Sequence, residues 1–145
     1  MGVIGLAIEA NRFYLLHSQL QDMADAAALA GASKLNGQPG AMDNARAAAL
    51  AVNNPNWWSN AVGLTDPRLA DDGFFFYSQL NPDLQATSDT DAFYMKVTTN
   101  LGGIAPAFML AVGATNINQT RATATAGNLP IVCNVQPLMM CNPVL

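Results

Sequence analysis

Charged side chains are scarce in this chain. Six Lys and Arg and ten Asp and Glu amount to 11% of 145 residues, against roughly a quarter in ordinary globular domains. Asn, Gln, Ser and Thr must therefore wet much of the surface. That composition suits an envelope, extracellular or assembly-forming protein better than a cytosolic enzyme. The net charge is −4, and the basic residues Arg12, Lys34, Arg46, Arg68, Lys96 and Arg121 are scattered. Nucleic-acid binding needs a basic stripe, with aromatics among the charges where bases stack, and none is present. No charge follows Arg121.

Groups that do chemistry are equally few. His17 is the only histidine, and its neighbour Ser18 points elsewhere on a helix. A nucleophile–base pair needs mutual contact and an orienting third group, so a solvated or interface histidine is expected and no catalytic residue is assigned. The two cysteines, Cys133 and Cys141, have no third thiol or nearby histidine with which to complete a zinc site. Asp66, Asp71, Asp72 and Gly73 lack the alternating ligands and terminal Glu of an EF-type calcium loop; turn formation explains them better. No Gly-rich phosphate loop and no long internal repeat occurs. No metal or cofactor is expected, and the chain reads as non-enzymatic. No basic region precedes the apolar opening, so no full signal peptide is visible. No run reaches the 18 or so apolar residues of a membrane span.

The front of the chain carries the clearest pattern. Phe13, Leu16, Leu20, Met23, Ala27 and Ala30 recur in steps of three and four, a seam on one side of a helix. Extended backward, the seam meets Glu9 and Leu6. A carboxylate there costs free energy unless it is paired or reaches water, so Glu9 is expected at a water boundary, paired with Arg12 or Arg46. No proline interrupts residues 3–35, and Gly37 and Pro39 supply a stop. A helix of that span is about 50 Å long. A second row, Ala24, Ala28 and Ala32 with Gly31 beside it, lets another backbone approach closely. Its partner is either the second alanine-rich helix expected over residues 41–52 or another subunit. Residues 1–8, MGVIGLAI, read either as the trailing end of a membrane span or as an ordinary buried helix start.

Residues 53–72 read as irregular, with Trp57 and Trp58 anchoring a loop. Residues 73–80 and 91–101 read as strands, the second with Phe93, Met95 and Val97 on one face. NPDLQATSDTD between them reads as a polar connection. Residues 104–113 read as a short buried helix, with Pro106 in its first turn and Gly113 at its end. Residues 116–127 alternate Thr and Ala as a further strand. The expected fold is α+β: a long N-terminal helix and a second Ala-rich helix packed on one small antiparallel sheet, with a short inserted helix.

At this point the chain resembles a family. GLAIEANRFYLLHSQLQDMADAAALAGAS is similar to the N-terminal signature of TadE/TadG-like proteins of bacterial Tad (Flp) pilus assembly. The matching elements are Gly5 to Glu9, Tyr14, Leu20 with Gln21, and the run from Ala24 to Ala30. The resemblance continues in order through ARAAALAVNN, MKVTTNLGGIAPAFMLAVG, ATATA and CNVQPLMMCNP. It implies a membrane-anchored structural protein of the cell envelope. Its N-terminal helix would leave the inner membrane and meet other pilus proteins, and its remainder would lie outside the cytoplasm or in the extracellular pilus. Members of the family usually begin with a basic stretch and a complete apolar span of about 20 residues; this chain starts inside it. Many TadG-like members continue into a von Willebrand-type region, and no Asp-x-Ser-x-Ser occurs here. The chain therefore reads as a fragment or a shortened relative.

The expected organisation is a helix over 1–36, an α+β extracytoplasmic domain over 37–128, and a neutral tail over 129–145 holding Cys133 and Cys141. Outside the cytoplasm those two cysteines suit a disulfide. Its nine-residue loop, 133–141 counted inclusively, would contribute roughly 2–3 kcal/mol; free thiols are the other state. The function expected is that of a pilin-like or minor-pilin-like component acting through Phe13, Leu16, Leu20, Met23, Ala24, Ala27, Ala28, Ala30 and Gly31. The alternative is a secreted or periplasmic binding or adhesion domain presenting residues 57–58 and 74–77.

Overall fold

The structure, a computed structural model, describes residues 2–52, 69–100, 102–104 and 118–129. Helix α1 runs over Gly2–Ala32 and α2 over Ala41–Ala51. After a 3₁₀ turn at Asp71–Gly73, the strands are β1 Phe74–Leu80, β2 Asp83–Gln85, β3 Tyr94–Thr98, β4 Gly102–Ile104, β5 Asn118–Thr120 and β6 Thr123–Gly127. The architecture is α+β, as expected.

Helix α1 has 31 residues and is about 46 Å long. It closes through Ser33 N–H to Leu29 O and Lys34 N–H to Gly31 O, at 3.1 and 2.9 Å. The chain then reverses through Gly37 and Gly40, whose φ values of 71° and 83° favour glycine. Gly40 is the N-cap of α2 and has no side chain with which to cap it. Asp89, from the β2–β3 connection, supplies the cap instead. Its carboxylate accepts from Gly40 N–H at 2.8 Å and Met42 N–H at 2.9 Å.

The main sheet has the order β2-β1-β3-β6, antiparallel throughout. Phe76 pairs with Met95 and Val97 with Ala124. Side chains alternate across a strand, so Phe74, Phe76, Met95, Val97 and Ala124 share the face that the helices cover. Together with Leu16, Leu20, Met23, Ala24, Ala27, Ala28, Ala45 and Ala49 they form one core.

Three expectations are corrected. Among the described residues the strands form two sheets, not one, because β4 and β5 pair there only with each other. Between the Thr98–Thr123 pair and the Gly102–Thr120 pair lie three residues on one strand and two on the other. The extra residue breaks the ladder. The Thr99 hydroxyl bridges the break, accepting from Ala122 N–H at 2.9 Å. The same break divides the strand expected over 116–127. Second, β2 lies within the stretch read as a polar connection. It is exposed at all three residues and therefore carries no hydrophobic alternation; pairing with β1 makes it a strand. Third, Ile104 ends β4 and does not begin a helix; the rest of that inserted helix, 105–113, lies outside the described residues.

Candidate interaction site

Helix α1 has two apolar faces of different fate. On the inward one, Leu16, Leu20, Met23, Ala24, Ala27, Ala28 and Ala32 are each at most 3% exposed, and Gly31 is buried too. Phe13 and Ala30 are half-buried at its margins. This face packs on α2, β3 and β6 of the same chain. The small residues let α2 come close: a Cβ added at Gly31 would overlap the Met95 Sδ and stand 3.1 Å from Ala45 O. On α2, Ala41, Ala45 and Ala49 complete the contact, while Ala48 and Val52 are half-buried. The alanine rows thus line an interface within the molecule.

The outward face was not read from the sequence. Ile8, Leu15 and Leu29 are 45%, 44% and 66% exposed, and Tyr14 is 72% exposed. Ile8, Leu15 and Leu29 fall on a seven-residue spacing with Asp22 between them, so they lie along one stripe. That spacing was visible, but the stronger neighbouring seam masked it. Leu29 also borders a shallow groove of about 270 Å³ shared with Asp25 and with Ala124, Thr125 and Ala126 of β6.

Polar side chains of α1 cover part of the sheet's edge. His17 Nδ1 lies 3.0 Å from Thr120 Oγ1. Gln21 Nε2 donates to Thr123 O at 3.4 Å and to Asp25 Oδ1 at 3.0 Å. The Gln21 contact occupies one backbone carbonyl of β6, the edge strand of the main sheet, that would otherwise be open to a further strand; the other two contacts join side chains. His17 is exposed; its contact is the Thr120 hydroxyl, and among these contacts no third group orients the imidazole.

The two shifted acids are structural. Met42 N–H, then Gly40 N–H, hold the Asp89 carboxyl below the usual carboxylate range. Asp91 is held low by the Ser88 hydroxyl first and then by Ser88 N–H, within the turn that precedes β3. Arg46 lies over the Phe76 ring at 5.3 Å from its centroid, a cation–π contact. Its Nε is buried without a hydrogen bond.

Among the described residues, no three His, Cys, Asp or Glu side chains gather to hold a metal ion. Nor is any helix there long and apolar enough to cross a membrane. Trp57, Trp58, Asp66, Cys133 and Cys141 lie outside the described residues, as does the side chain of Glu9.

Residues 1–34 match the model of the Tad family, described as "Putative Flp pilus-assembly TadE/G-like". The match is to the family that the N-terminal motifs resemble, and it supports a role related to the Tad pilus. It spans α1 and ends two residues beyond Ala32. No curated protein matches the chain, and no solved structure does.

Proposed function

We propose that the chain is a non-catalytic, pilin-like or minor-pilin-like component of a bacterial Tad pilus assembly, and that α1 is its docking element. The observation that carries this reading is a coincidence of extents. The segment matching the Tad family is the long helix, and that helix keeps Ile8, Tyr14, Leu15 and Leu29 exposed after its inward face has been used. Large exposed apolar side chains along one helix suit a partner helix. The inward alanines hold α1 rigidly on the sheet, so the outward stripe is presented in one orientation.

In this reading residues 1–36 form the docking helix, 37–128 the extracytoplasmic domain and 129–145 a neutral tail that Cys133 and Cys141 close into a loop. Phe13, Leu16, Leu20, Met23, Ala24, Ala27, Ala28, Ala30 and Gly31 act indirectly, by fixing the helix. The protein works at the inner membrane, with its domain outside the cytoplasm, or in the extracellular pilus. Co-purification tests it. The chain should be recovered with Tad pilus proteins from an envelope fraction after mild crosslinking. Recovery as a free monomer from pilus-producing cells would refute it.

A further inference from the structure

The face of the sheet turned away from the helices carries a cleft. Phe75 of β1 pairs with Lys96 of β3 on that face, and Phe75 remains 39% exposed. Where the β3–β6 ladder breaks, a hollow of about 260 Å³ opens beside it, lined by Asp72, Gly73, Phe75, Thr98, Thr99, Asn100 and Arg121.

The hollow's walls are set by backbone. A Cβ on Gly73 would strike Thr98 O, so the start of β1 and the end of β3 approach as closely as glycine allows. Gly73 N–H donates to Ala70 O at 2.9 Å, which holds the 3₁₀ turn that carries Asp72. Thr98 Oγ1 lies 3.2 Å from Thr123 Oγ1. Thr99 is turned inward and spent on Ala122. Asp72 and Arg121 are both exposed, and no ion pair joins them among the described residues.

We propose that this cleft binds a saccharide, with one pyranose ring lying on Phe75. The lining selects that chemistry by elimination. A phosphate or polyanion would face the Asp72 carboxylate. A divalent cation would face Arg121 and, among the described side chains of the lining, find one carboxylate, where such ions take six or more oxygens. A wholly apolar ligand would strip water from Asp72 and Arg121 with nothing in return. A sugar ring has an apolar C–H face for the aromatic ring and a rim of hydroxyls that both donate and accept. Asp72 accepts from that rim, and Arg121 donates to it. The hollow is smaller than the roughly 300–1,000 Å³ of drug-sized sites, which suits one ring of a glycan. The proposal stands independently of the pilus reading.

The test is an NMR titration of the purified full chain with millimolar glucose, galactose, N-acetylglucosamine and glucuronate, each alone. At least one sugar should shift the amides of residues 72–75, 98–100 and 121. Phe75→Ala and Arg121→Gln should each weaken that sugar's binding at least tenfold. Both side chains lie outside the core, and unchanged methyl signals from Met95 and Val97 would show that the variants fold. Failure of all four sugars to shift those amides overturns the proposal. So does binding that survives both substitutions. Binding of glucuronate alone, lost in Arg121→Gln but kept in Phe75→Ala, would mark a carboxylate site and also overturn it.

Discussion

Gly31 of α1 and Met95 of β3 share one point in the core, with Ala45 O of α2 closing the third side. A side chain there needs the buried end of Met95 to move and Ala45 O to give by a few tenths of an ångström. Gly31→Ala is expected to destabilise the fold by roughly 1–3 kcal/mol, because a buried Met95 and a backbone carbonyl must both yield, and Gly31→Leu by more. Adding Met95→Ala should recover part of the loss, so that the double variant is less destabilised than the two singles sum to. Urea unfolding of the three variants checks this; strict additivity would mean that the two residues do not compete for one space.

The two faces of α1 should respond differently to truncation. Leu20 is 1% exposed in the core, and Leu20→Ala should cost about 2–5 kcal/mol. Leu29 is 66% exposed, and Leu29→Ala should stay within about 0.5 kcal/mol of the parent. Thermal melts of the isolated chain decide between this assignment and one in which the outward residues are also buried within the chain.

Asp89 links the β2–β3 connection to the start of α2 through two backbone N–H groups. Its folded pKa is depressed, so its contribution is present above the unfolded aspartate value of about 3.9. It is lost as the pH falls through the lower folded value. Asp91 carries the same sign, so the comparison must be made within one background. Asp89→Asn should lower the melting temperature at pH 7 and flatten the loss of stability below pH of about 4. An unchanged acid limb would show that the carboxylate does not hold α2.

Much of this architecture is legible in the residues, for definite reasons. Both helices follow from apolar spacing and from Gly37, Pro39 and Gly40 between them. Met95 and Val97 alternate with Tyr94 and Lys96, and β3 shows the same alternation in burial. β2 is not legible, since Asp83, Leu84 and Gln85 are all exposed and only pairing makes them a strand. The ladder break is not legible either. It depends on one extra residue between Thr98 and Gly102, which no local pattern marks. Nor is the use of the alanine rows: their spacing allows any close partner, and only the packed fold shows that α2 and the sheet occupy them. The same packing leaves Ile8, Tyr14 and Leu15 outside.

Those outward residues carry the functional account. Leu15→Glu should leave the stability of the isolated chain within about 0.5 kcal/mol of the parent and yet reduce its recovery with pilus components. A charge on a desolvated helix–helix contact is costly, whereas on a solvated face it is not. Equal recovery of parent and variant would place the contact elsewhere.

The most direct measurement places a photo-crosslinking amino acid at Leu15 in cells assembling the pilus, with a control at Ala47, exposed on α2. Adducts to Tad pilus proteins at Leu15, and none at Ala47, are the predicted result. Absence of adducts at Leu15 in assembled pili, or equal adducts at both positions, would contradict the claim that the outward face of α1 is what its partners hold.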